Sequence, residues 1–90
     1  MNHSLTLWLN VVNHGAMAVD DVVARNMRGE LARFRLTQEE AGKILGLSQS
    51  AMGHRLRALR PFTVRDVVVF SVRLGIPLSR LLEGVEEESS

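Results

Sequence analysis

The chain of 90 residues has no cysteine and no tyrosine, a single tryptophan, three phenylalanines and two prolines. Without cysteine there is no disulfide framework, no thiolate zinc site and no cysteine nucleophile, and a reducing cytoplasm is the expected compartment. With 46% hydrophobic and 23% charged residues, the composition is that of a folded domain and unlike a disordered tail. Long hydrophobic runs are also missing. The apolar stretch Leu5 to Val12 is far shorter than a bilayer span and no basic residue precedes it, so neither a membrane helix nor an export signal is expected. Paired carboxylates, a nucleophile with its base, a phosphate-cradling glycine loop and metal-ligand spacing are absent too, so no enzyme, cofactor or small-molecule substrate is expected. His3 and His14, with no carboxylate cluster near them, read as polar residues and not as metal ligands.

Formal net charge is only +1, but the charges are segregated. All eleven basic residues lie between Arg25 and Arg80, where the only acids are Glu30, Glu39, Glu40 and Asp66, an excess of seven positive charges. The remaining acids, Asp20, Asp21 and the C-terminal Glu83, Glu86, Glu87 and Glu88, sit at the borders. A basic middle between acidic flanks fits a phosphate-bearing partner, although charge alone leaves a solvated helical surface equally open.

At this length one core is the limit, and the chain divides into an arm over 1–17, a body over 18–82 and an acidic, flexible tail over 83–90. In the arm, Leu5, Leu7, Leu9 and Val11 alternate as in a strand, while Leu5, Trp8, Leu9 and Val12 share a helical face. Ser4 and Gly15 favour a helix as cap and stop, threonine and paired valines favour a strand, and the choice stays open. The body reads as all helical. Val22, Val23, Met27, Leu31 and Phe34 mark a first helix, with Asp20 and Asp21 at its N-terminal end. Thr37-Gln38-Glu39-Glu40 is a capping-box pattern opening a second helix, whose apolar face is Ala41, Ile44 and Leu45, and Gly46 stops it. Ser48 caps a third helix with an expected buried stripe of Met52, Leu56 and Leu59, ended by Pro61. Thr63 with Asp66 restarts a fourth, facing inward with Val64, Val67, Val68 and either Ser71 or Val72 until Gly75; Pro77 opens a short fifth helix through Leu82. Met17 and Met27 read as core filler.

Two short helices joined by a glycine-containing turn, the second leading with small polar residues, form an arrangement able to lay a helix in a DNA major groove. Gly42, inside the first of the pair, leaves room for a close crossing, which accounts for accepting its helix cost of about 1 kcal/mol. The stretch from Leu36 to Ser50, LTQEEAGKILGLSQS, with Leu74 to Leu82, LGIPLSRLL, resembles the λ-repressor-like (Cro/XRE-type) helix-turn-helix family of phage repressors, Cro proteins and bacterial relatives. The resemblance covers Val22 to Leu82. It implies an all-α helix-turn-helix bundle of about five helices that binds double-stranded operator DNA in sequence-specific transcriptional regulation, as a phage or prophage repressor or Cro-like protein. It implies further that Gln38 binds a phosphate and braces the recognition helix, that Gln49 and Ser50 face base edges, and that His54 lies one turn on. A glutamine amide pairs bidentately with adenine, and serine and histidine are adaptable partners. The family places a second buried aliphatic three residues after Met52, whereas this chain has Arg55 there and Leu56 next. A rotated helix face would turn Arg55 into the groove and His54 toward its wall. Arg57, Arg60 and Arg65, bracketing Pro61-Phe62, read as phosphate clamps, with a merely solvated basic loop as the alternative. Arg25, Arg28, Arg33, Arg35 and Lys43 read as surface residues. The arm, with Trp8, is either a homodimer contact or an extra core element. An antitoxin-like protein-interaction module is the competing function, and it gives no reason for the basic run from Arg55 to Arg65.

Overall fold

The structure, a computed structural model, describes residues 19–86. Five helices and no strand are found among the described residues: α1, helical over 19–33; α2, Gln38–Leu45; α3, Gln49–Leu56; α4, Val64–Leu74; and α5, Leu78–Leu81. The all-α expectation is met. The 1–17 arm, including the strand-or-helix choice over 5–12, Met17 and the two arm histidines, lies outside the described residues, as do 87–90.

Local chemistry fixes most of the helix starts. The Glu40 amide donates to Thr37 Oγ1 at 3.0 Å and the Thr37 amide to Glu40 Oε1 at 2.8 Å, closing the box at the head of α2. Thr63 and Asp66 repeat the device at α4, at 3.0 and 2.9 Å, and Ser48 Oγ accepts from the Ala51 amide at the head of α3. Each box satisfies amides that the first turn leaves without a partner.

The helix ends share one solution. Behind each of α1 to α4 a left-handed residue is followed by an aliphatic whose amide reaches five residues back: Leu36 to the Leu31 carbonyl, Leu47 to Gly42, Leu59 to His54 and Ile76 to Ser71. This is the Schellman arrangement. Gly46 (φ 71°) and Gly75 (φ 66°) fill the left-handed position in two cases, as expected, but Arg35 (φ 54°) and Ala58 (φ 60°) fill it in the others. Because Ala58 makes the turn, α3 stops at Leu56, well before Pro61. Leu59, expected in the buried stripe, is therefore 66% exposed. Phe34 likewise falls past the end of α1 and is 38% exposed, with the Arg33 guanidinium 5.6 Å from its ring centroid.

The core gathers Val23, Met27 and Leu31 of α1, Ala41 and Leu45 of α2, Met52 and Leu56 of α3, Val67 and Phe70 of α4, and Ile76 and Leu81. The inward face of α4 departs from expectation. Phe70 is fully buried, whereas Val64 and Val72 are 82% and 72% exposed and Val68 is only partly covered. Ser71, not Val72, points inward, because its hydroxyl donates to the Ile76 carbonyl at 2.6 Å and so meets no burial penalty. Val64 and Val68 instead line an unfilled groove beside α1 and α5.

Polar ties join elements distant in sequence. Asn26 Nδ2 donates to the carbonyls of Leu81 (2.8 Å) and Glu83 (2.9 Å), and buried Glu30 lies 3.5 Å from Arg33 Nε and 3.7 Å from Arg80. The Glu83 carbonyl is thus held, and Val85 packs on the core, so residues 83–86 belong to the body and a free tail does not begin at Glu83. No described helix is long and apolar enough to cross a membrane.

Candidate functional site

The turn between α2 and α3 is Gly46-Leu47-Ser48, and close packing makes it this short. A Cβ on Gly42 would stand 2.8 Å from the Leu47 carbonyl oxygen, closer than real Cβ contacts permit. Glycine at 42 is therefore what lets the turn fold against α2, in line with the expected close crossing.

On α3 the residues separate cleanly by face. Met52, Gly53 and Leu56 are buried, while Gln49, Ser50 and His54 are exposed along the leading turn and a half. Gln38 reaches across from the first turn of α2, its Nε2 donating to the Gln49 carbonyl at 2.9 Å. Gly53 makes this reach feasible. In a helix each Cα–Cβ bond tilts toward the N-terminus, so a Cβ on residue 53 would lie over the carbonyl four residues earlier. It would meet Gln38 Nε2 at 2.7 Å. Sequence reasoning missed Gly53; a glycine inside an eight-residue helix was the signal, by the argument applied to Gly42.

Arg55 does not join the exposed group. Its side chain is 22% exposed, its Nε lies 3.5 Å from the buried Asp66 Oδ2, and its Nη1 donates to the Ala51 carbonyl at 3.3 Å. Face rotation that would send Arg55 outward is not seen; the side chain ties α3 to the capping box of α4. The 3.5 Å separation is an ion-pair contact, too long for a good hydrogen bond, and Nε has no hydrogen-bond partner. Arg28, read from sequence as a surface residue, donates through Nη1 to the Leu56 carbonyl and so caps the C-terminal end of α3 from α1.

Arg57, Arg60 and Arg65 are all exposed, and none forms an ion pair among the described residues. Arg57 and Arg60 lie in the segment after α3, whereas Arg65 lines a groove with Lys43 and Arg73, between the end of α2 and α4. A cation in the first turn of α4 opposes the helix dipole, so Arg65 is not placed there for helix stability.

The four acids of the basic middle all have partners within the chain: buried Glu30 with Arg33 and Arg80, exposed Glu39 with Lys43, and exposed Glu40 and buried Asp66 in their capping boxes. The carboxyl of Glu40 titrates below the ordinary glutamate range, chiefly because the Thr37 amide donates to it, with the Thr37 side chain and nearby Lys43 acting the same way. The first turn of α2 holds Glu39 and Glu40 and that of α4 holds Asp66, but the first turn of α3 holds no acid. Its partial positive end is left uncompensated beneath Gln49 and Ser50. The result is an exposed set of hydrogen-bonding side chains, Gln49, Ser50 and His54, on a helix followed in the chain by exposed Arg57 and Arg60. No protein-family model, curated protein or solved structure matches the chain.

Proposed function

We propose that this chain is a sequence-specific binder of double-stranded DNA that regulates transcription, with α2 and α3 forming a helix-turn-helix of the λ-repressor-like kind. One observation carries the reading: Gln49, Ser50 and His54 project from a helix whose other face is buried and whose first carbonyl is held by Gln38. In this arrangement Gln49 and Ser50 meet base edges in the major groove, with His54 deeper along it. Gln38 fixes the angle of α3 and sits where a phosphate would approach. Arg57 and Arg60 bind phosphates beside the groove, Arg65 is a more distant backbone contact, and the acid-free start of α3 favours the polyanion. Arg55 acts through the protein by holding α3 on α4, not by reading a base. Repression by a phage or prophage protein of the Cro kind is the role the sequence resemblance supports. An antitoxin-like interaction module gives no use to unpaired arginines beside a projecting polar helix.

The test is a salt-series binding assay of wild type, Gln49→Ala and Arg60→Ala against random and selected duplexes. Losing Gln49 relaxes base preference at one position by about 1–3 kcal/mol. Losing Arg60 weakens all duplexes alike and lowers the salt slope by about one unit. Identical behaviour of the two variants would refute the assignment of roles, and absence of duplex binding by wild type would refute the function.

A further inference from the structure

Beside α1, α4 and α5 lies an apolar groove with a volume of about 210 Å³, lined by Val19, Val23, Val64, Val68, Leu78 and Leu82, among others. Nothing among the described residues covers it, and Val64, Val68, Leu78 and Leu82 are exposed there. We infer that this groove is the seat of the chain's own N-terminal arm, with Trp8 and its aliphatic neighbours as the occupant.

Three observations identify the arm over another occupant. The first is position. Val19 lines the groove, so the eighteen residues ahead of it leave from its rim. Six residues separate Val12 from Val19, and the seven steps between them reach up to about 24 Å when extended, enough to turn back.

The second is chemistry. Residues 1–18 contain no Asp, Glu, Lys or Arg, yet hold the only tryptophan and the run Leu5, Leu7, Leu9, Val11 and Val12. The run 5–12 within this segment has no ionisable side chain to desolvate on entering an apolar groove. A cavity of roughly 150 Å³ already holds a benzene ring, so about 210 Å³ has room for an indole.

The third is concentration. A tethered segment faces its own groove at an effective concentration on the order of millimolar, which a second copy at micromolar levels does not match. The valines that sequence reasoning assigned to the core, Val64 and Val68, thereby regain a buried role, with the arm as the missing layer.

Trp8 is its own reporter, and its fluorescence is read on the full chain without DNA, so the result is independent of the proposed function. Emission maximum and iodide quenching are measured from tens of nanomolar to tens of micromolar for wild type, Val64→Asp, Val68→Asp and Val72→Asp. Val64 is so exposed, at the first position of α4 where an acid suits the dipole, that Val64→Asp keeps the fold; far-ultraviolet circular dichroism verifies this. The expected result is blue-shifted, quencher-protected emission in wild type at every concentration. In Val64→Asp and Val68→Asp the emission shifts red and quenching rises severalfold, while Val72→Asp, which does not line this groove, behaves as wild type. Wild-type emission equal to that of the urea-unfolded chain overturns the inference. So does protection that survives both groove substitutions, and so does protection that appears only as concentration rises, which would give the groove to a second copy.

Discussion

Gly53→Ala probes the link between fold and site most directly, because two effects of similar size oppose each other at that position. Alanine is favoured over glycine in a helix interior by about 1 kcal/mol. Its Cβ, however, would lie 2.7 Å from Gln38 Nε2, and the far end of a glutamine can swing aside only by giving up its bond to the Gln49 carbonyl. A hydrogen bond of this kind contributes about 0.5–1.5 kcal/mol. In the wild-type background the substitution is therefore close to neutral, within about 0.5 kcal/mol, the helix gain being offset by the broken brace. In a Gln38→Ala background nothing obstructs the new methyl group and the same substitution stabilises by about 1 kcal/mol. Urea unfolding followed by circular dichroism reads both differences, and with a slope of about 1 kcal/mol per molar for a small domain the second appears as a midpoint shift near 1 M. Equal effects in the two backgrounds, to within about 0.3–0.5 kcal/mol, would show the residues uncoupled and refute the brace.

Gly42→Ala behaves differently, because its obstacle is the Leu47 backbone carbonyl at 2.8 Å, which cannot swing away; a net loss of about 1–3 kcal/mol is expected by urea unfolding despite the better helix former. Phe70→Ala removes a fully buried ring and costs about 3–5 kcal/mol, whereas Val64→Ala stays within about 0.5 kcal/mol in a protein whose N-terminal 18 residues have been removed, since Val64 then faces water. Arg55→Ala leaves Asp66 buried without its cation and lowers stability by about 1–3 kcal/mol, while the salt slope of duplex binding stays at the wild-type value. The Glu40 carboxyl, lowered in the fold, stabilises fully above its ordinary value of 4.5 and ceases to as pH falls below 4.5 through the folded value. The melting temperature difference between wild type and Glu40→Gln accordingly shrinks over that descent.

What could be read in the sequence was the chemistry confined to a few neighbouring residues. Thr37 with Glu40, Thr63 with Asp66, Ser48, Gly46 and Gly75 announce helix ends because a cap and its partner lie within one turn. The left-handed ends of α1 and α3 gave no such sign, since Arg35 and Ala58, and not glycines, take that position. Periodicity failed on α4 for another reason. Val64, Val67, Val68, Val69, Phe70, Val72 and Leu74 are apolar around nearly the whole helix, so spacing cannot rank its faces. A serine hydroxyl meeting the Ile76 carbonyl settles which way it turns.

The same distinction governs the candidate site. Gln49, Ser50 and His54 were placed by the family resemblance, and the structure finds them exposed opposite the buried Met52, Gly53 and Leu56. Arg55 could not be placed from the sequence, because its partner Asp66 stands eleven residues away across Pro61 and becomes its neighbour only when α4 docks. Arg28 and Asn26 are the same case at greater distance, each lending a side chain of α1 to the carbonyls of a helix end far along the chain. The basic residues of the middle of the chain therefore differ in setting. Arg28, Arg55 and Arg80 bond to or pair with groups on other elements, whereas Arg57, Arg60 and Arg65 form no ion pair among the described residues. Counting charges along the sequence cannot make that division, since each internal arginine is identified by an atom that only the fold brings to it.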